Sequence, residues 1–98
     1  MELNEIPEAF QTNLRIAIIS SLMTGIKTFK EIKVITGASD GNISIQVGKL
    51  EEMGYMVSKK EFIGKKPCTS YQLSELGHRM FLEYVDMLER LIKRDEKI

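Results

Sequence analysis

Residues 28–73 run TFKEIKVITGASDGNISIQVGKLEEMGYMVSKKEFIGKKPCTSYQL, and the punctuation of that stretch sets the order of the elements. Thr28 and Glu31 have capping-box spacing: a hydroxyl placed for the third backbone N–H, and a carboxylate able to reach back. A helix therefore starts there, with Phe29, Ile32 and Ile35 as its apolar stripe, and Gly37 stops it after barely two turns. Ser39 or Asp40 can cap a second helix, in which Ile43, Val47 and Leu50 recur at spacings of four and three before Gly54 closes it. Tyr55 to Phe62 and Thr69 to Leu73 are β-compatible, and Ile63-Gly64-Lys65-Lys66-Pro67 between them reads as a hairpin loop. A short strand over Ile26 to Thr28 fits in front of the first of these helices.

Upstream, Pro7 suits a first helical position, and Phe10, Leu14, Ile18, Ile19 and Leu22 follow at helical spacings up to Gly25. One helix is expected there, within residues 1–25, apolar on more than one side and so covered by neighbours on two. Downstream, Ser74 is a plausible N-cap, and the chain runs without proline from Glu75 to about Glu96, a helix of roughly 22 residues and ~33 Å. Two parallel seams follow it, Met80, Tyr84, Met87 and Leu91, and Phe81, Val85, Leu88 and Ile92. One seam can dock on the domain while the other meets a partner.

The bulk properties bound the rest. A chain of 98 residues with 43% hydrophobic content supports one compact domain over residues 1–98. No apolar run approaches the roughly 18 residues of a membrane span, and Met1 to Asn4 is acidic where a signal peptide starts positive. A soluble, cytoplasmic protein is the expectation. A lone cysteine, Cys68, makes neither an internal disulfide nor a multi-thiolate metal site. Neither Cys68 nor the lone His78 has a sequence-adjacent partner for ligation or nucleophilic catalysis, so no enzyme, metal or cofactor is expected. Cys68 beside Lys65 and Lys66 leaves open a lowered thiol pKa and a redox response.

The formal net charge is zero, yet it is unevenly spread. Residues 1–26 carry one arginine against three glutamates, net −2; residues 27–66 carry eight lysines against five acids, net +3; the remainder is net −1. Positive charge thus collects on the segment 28–73, whose order of elements is a helix-turn-helix (28–54) followed by a basic β-wing (55–73). Such an arrangement has a physical use on a DNA duplex. With Ile43 on the core side, 100° per residue puts Gly41, Ile45, Gly48 and Glu52 outward, flanked by Ser44 and Lys49. Asn42, Ser44 and Lys49 can hydrogen-bond bases or phosphates, as can Ser39 at the helix start, while Gln46 lies nearer the core. Ile45 can meet a thymine methyl or be an incidental surface residue. Lys59, Lys65 and Lys66 on the wing are point charges suited to phosphate.

The stretches Gly37-Ala38-Ser39-Asp40-Gly41-Asn42-Ile43-Ser44, Lys49-Leu50-Glu51-Glu52-Met53-Gly54-Tyr55, Phe62-Ile63-Gly64-Lys65-Lys66-Pro67 and Tyr71-Gln72-Leu73-Ser74-Glu75-Leu76-Gly77, in that order, resemble the winged-helix transcriptional regulators of the MarR-like group, especially its small single-domain members. The resemblance covers nearly the whole chain. It implies an α+β, mostly helical fold: a three-helix core with a β-hairpin wing and a long C-terminal dimerisation helix (75–96). It further implies a recognition helix at Asp40 to Met53 in the major groove, the wing on the backbone or minor groove, and a homodimer through the terminal helices; from the two seams, Met80, Tyr84, Met87, Leu88 and Leu91 are the candidate interface residues, with either seam free to face the partner. The chain departs from the group at Ile45 and Gly48, where relatives often carry polar or basic residues, and at Cys68, where arginine is common.

Double-stranded DNA is therefore the expected partner, bound as a homodimer on a pseudo-palindromic site with half-sites about 34 Å apart. No convergent polar cluster identifies a small-molecule effector. The competing function class is a protein–protein interaction module that uses Ile45 and the spare seam of the last helix. Duplex binding across a salt series separates the two.

Overall fold

A computed structural model describes residues 1–96; Lys97 and Ile98, the last positions of the expected domain, lie outside the described residues. Two 3₁₀ turns, Leu3–Glu5 and Glu8–Phe10, lead into α1 (Asn13–Leu22), β1 (Lys27–Thr28), α2 (Phe29–Thr36), α3 (Asp40–Glu52), β2 (Met56–Ile63), β3 (Lys66–Leu73) and α4 (Glu75–Glu96). The antiparallel sheet has the order β1-β3-β2. This is the mostly helical winged-helix architecture that the sequence implied, with its core beneath the helix-turn-helix.

The first helix does not start at Pro7. Pro7 leads the 3₁₀ turn, its carbonyl accepting from the Phe10 N–H at 2.9 Å, and the α-helix begins afresh after Thr12. Thr12 sits in extended backbone and its hydroxyl accepts from the Arg15 N–H, so a better N-cap lies five residues beyond the proline. The break turns Phe10 into the core, where it is 3% exposed, stacked on Tyr84 with ring centroids 4.9 Å apart.

The caps of the helix-turn-helix form as the sequence dictates. Thr28 Oγ1 accepts from the Glu31 N–H at 3.2 Å and Glu31 Oε1 accepts from the Thr28 N–H at 3.0 Å. The Thr28 backbone N–H first, and the Thr28 hydroxyl beside it, hold the Glu31 carboxyl below the ordinary glutamate value. Gly37 ends α2 at φ 70°, the left-handed conformation that a Cβ disfavours. Ser39 caps α3, and an ion pair at 2.7 Å between Lys33 and Asp40 spans the turn. Ile32, Ile43, Val47 and Leu50 are buried, whereas Ile35, assigned to the α2 stripe, is half exposed. It falls some 60° off the Ile32 direction, toward the solvent side of α2.

The hairpin loop is tighter than the five residues expected. Only Gly64 and Lys65 lie outside the strands, Ile63 pairing with Lys66 and Phe62 with Pro67. Gly64 has φ 67°, as the first position of a two-residue II′ turn requires. Pro67 is tolerated in the ladder because β1 pairs only with Ser70 and Tyr71, leaving β3 without a second neighbour at the proline.

α4 is fastened at its start. Ser74 donates from its N–H to Tyr55 O at 3.0 Å and from its hydroxyl to Gly54 O, and that hydroxyl accepts from the Gly77 N–H at 3.0 Å. Gly77 then passes so close that a Cβ there would stand 2.1 Å from Tyr55 O. No described helix is long and apolar enough to cross a membrane.

Candidate nucleic-acid interface

The outer side of α3 follows from the burial of the inner one. Once Ile43, Val47 and Leu50 are fixed in the core, the helical repeat turns Gly41, Ser44, Ile45, Gly48, Lys49 and Glu52 to solvent, and all six are exposed. Ile45 retains 56% of its surface. Ser39 and Asn42 are exposed at the helix start, where the Asn42 N–H donates to Ser39 Oγ at 3.2 Å. That bond leaves the Ser39 hydroxyl proton and the Asn42 amide free for a ligand. Gln46 turns inward, as its position on the wheel implied, and its Oε1 is buried without a hydrogen bond among the described residues.

The wing rises beside this helix. Paired residues of an antiparallel ladder share a face, so Met56, Ser58, Lys60 and Phe62 lie on one face with Leu73, Tyr71, Thr69 and Pro67. Met56 and Tyr71 at the root of that face are buried in the core, and Ser58 Oγ donates to Glu51 of α3 at 3.3 Å. The face that holds α3 therefore continues outward into the exposed wing. Lys59, Lys65 and Lys66 are all exposed, but Lys59 stands 3.3 Å from Glu61 in an ion pair. Residues two apart on a strand share a side, a signal that was present in the sequence. Lys60, Lys65 and Lys66 have no ion pair among the described residues.

One cation escaped the sequence reading. Lys30, on the first turn of α2, joins Lys66 in lining a cleft of about 530 Å³ between α2 and the wing, with Phe29, Ile63, Pro67 and half-buried Cys68. The helical repeat puts Lys30 opposite Ile32, but only the fold brings the wing alongside. The described residues include no group of three or more His, Cys, Asp or Glu able to hold a metal ion.

Most of the interface residues expected on α4 face the chain's own fold. Met80 and Tyr84 pack on the chain's own core, Met87 is 3% exposed, and Leu91 is partly buried. The N-terminal segment that failed to become helix runs beside the distal part of this seam: Arg90 donates to Met1 O at 2.9 Å and pairs with Glu2, and Glu2 and Leu3 line a cleft with Met87 and Leu91. Of the five, Leu88 alone is exposed, and with exposed Leu82 and Ile92 and half-buried Val85 it makes a second apolar stripe.

Residues 14–92 match the family described as the winged helix DNA-binding domain. No curated protein matches the chain as a relative. Among solved structures, ZitR from Lactococcus lactis superposes with a TM-score of 0.71 at 19% identity, covering 88% of this chain and 58% of that one. An Enterococcus faecalis protein described as a transcriptional regulator of the MarR family gives 0.77 at 14% identity, covering 92% and 84%. Bacillus subtilis PadR in complex with operator DNA gives 0.70 at 19%, covering 76% and 47%. The chain thus spans less than two thirds of the ZitR and PadR chains, and the fold is what it shares with all three.

Proposed function

The chain belongs to the winged helix DNA-binding domain family, and from that premise we propose that it is a transcriptional regulator binding duplex DNA as a homodimer. α3 enters the major groove, and the wing lies on the backbone or in the adjacent minor groove. The observation that carries this reading is the continuity of the exposed α3 face with the wing, whose Lys60, Lys65 and Lys66 have no carboxylate ion pair among the described residues. Ser39, Asn42, Ser44 and Lys49 supply polar contacts, and Ile45 supplies an apolar one suited to a thymine methyl. With few polar groups on α3, phosphate contacts from the wing dominate affinity.

Homodimerisation is supported by the exposed Leu82, Leu88 and Ile92, with half-buried Val85 between them, since a solvated apolar stripe on a 22-residue helix is stabilised by a second copy. The regulator acts in the cytoplasm on a pseudo-palindromic site. Binding to bulk genomic DNA across a salt series, with sedimentation in parallel, tests this. The expected result is a dimer whose affinity falls steeply with salt, and, with two lysines removed from each of two wings, a log–log slope reduced by about 3.6 in the Lys65→Ala/Lys66→Ala variant. A monomer indifferent to duplex would overturn the assignment and favour a protein-interaction module.

A further inference from the structure

The wing ends in two large apolar side chains left mostly bare by the described residues. Phe62 is 76% exposed and Ile63 is 70% exposed, and both directly precede the two-residue turn. Their strand partners cannot shield them: Phe62 stands opposite Pro67 and Ile63 opposite the flexible Lys66. Because successive residues point to opposite faces, the tip is apolar on both sides, Phe62 with Pro67 on the side that holds α3 and Ile63 on the other. Strand propensity accounts for the backbone but not for the exposure, since threonine or tyrosine would serve the strand with a polar group toward water.

The surroundings of this apolar tip are cationic. Lys60 shares the Phe62 face, Lys65 occupies the turn and Lys66 flanks Ile63, none of them neutralised by an acidic neighbour among the described residues. An apolar edge rimmed by ammonium groups complements the minor groove, where stacked bases lie between two rows of phosphates. A protein partner would instead need an acidic rim around an apolar pocket.

We propose that Phe62 and Ile63 form a wedge that enters the minor groove beside the α3 site, partly unstacks a base step and bends the duplex, while Lys60, Lys65 and Lys66 hold the flanking phosphates. The inference rests on the DNA-binding reading and extends it to how sequence is chosen. Unstacking is least costly at pyrimidine–purine steps, so the wedge selects flexible sequence that no side chain reads by hydrogen bonding. It thereby supplies a preference that α3, with Gly41, Ile45 and Gly48 facing outward, is poorly furnished to supply.

The test uses duplexes that the wild-type protein selects from a random pool, labelled at both ends for energy transfer and carrying 2-aminopurine in the flank. Wild-type protein is expected to shorten the end-to-end distance and brighten the 2-aminopurine. The Phe62→Ser/Ile63→Ser variant should lose both signals and bind those duplexes about tenfold more weakly with an unchanged salt slope. Lys65→Ala/Lys66→Ala should lower the salt slope and keep the bend. Both changed positions of the serine variant are exposed, and an unaltered unfolding transition verifies its fold. A full bend in the serine variant overturns the wedge and leaves DNA binding intact, as does a straight wild-type complex. A serine variant that bends DNA normally but sediments differently assigns the apolar tip to a subunit contact instead. Failure of the wild-type protein to select any duplex removes the DNA-binding premise itself.

Discussion

Replacing Gly77 with alanine should destabilise the protein even though it improves the local helix. In an unobstructed helix interior, glycine to alanine gains about 1 kcal/mol. At Gly77 the added Cβ would lie 2.1 Å from Tyr55 O, 3.0 Å from its carbonyl carbon and 3.2 Å from Leu73 Cδ2. That is more than 1 Å inside an ordinary van der Waals approach. The nearest obstacle is backbone, which no rotamer change can move, so α4 must retreat at a cost of about 1–3 kcal/mol. Its retreat also stretches the bond from the Ser74 N–H to Tyr55 O, costing about 1 kcal/mol more. The net expectation is a loss of about 1–3 kcal/mol, and the melting temperature falls by at least about 4 °C for a domain of this size. Gly48→Ala is the matched control: it also lies inside a helix, but nothing approaches within 4 Å of its Cβ. It should be stabilised by up to about 1 kcal/mol. Thermal and urea unfolding of both variants at one fixed protein concentration provide the comparison. A Gly77→Ala protein as stable as the Gly48→Ala protein would refute the claim that close approach, not flexibility, demands this glycine.

Arg15 is the one buried charged residue among those described, 6% exposed, with Nε donating to Thr12 Oγ1 at 3.0 Å. Its Nη1 reaches only to 3.7 Å from the exposed Glu8 carboxylate and makes no hydrogen bond. Arg15→Met should therefore be neutral or stabilising in urea unfolding, whereas a loss above about 2 kcal/mol would show that the pair is worth more than its desolvation. The Thr28→Ala variant should lose about 1 kcal/mol through the missing N-cap. Because Glu31 titrates below its ordinary value in the folded protein, its contribution is complete at neutral pH and fades as the pH falls below that value. Acid titration of stability in wild-type and Glu31→Gln proteins should converge at low pH, and curves that stay parallel would contradict the assigned bond.

The helix-turn-helix was legible because its signals act within a few residues. Thr28 with Glu31, Ser39 with Asn42, and the left-handed Gly37 and Gly54 satisfy local backbone groups and need no distant partner. The outward set on α3 was legible too, since the helical repeat fixes every direction once Ile43 is known to be buried. Competition was harder to see: both Pro7 and Thr12 can start a helix, and Phe10 decided for Thr12 by entering the core. The hairpin was misjudged by the width of its loop because Pro67 reads as a breaker unless the strand beside it is known to end at Thr28.

Taken alone, the sequence determined where the helices of residues 28–54 begin and end, which side of α3 is apolar, and that positive charge gathers on the wing. All of these depend on neighbours within about one turn or one strand pair. Tertiary structure alone decided which seam of α4 faces the fold, because Met80 and Tyr84 pack on the core and the N-terminal segment returns across some ninety residues of chain to bond Arg90 and line a cleft with Met87 and Leu91. It alone decided that Gly77 must be glycine, since the Tyr55 carbonyl is distant in sequence and adjacent in space. It also left Phe62 and Ile63 bare, because exposure is settled by what fails to pack on a side chain, and no local pattern records an absent neighbour.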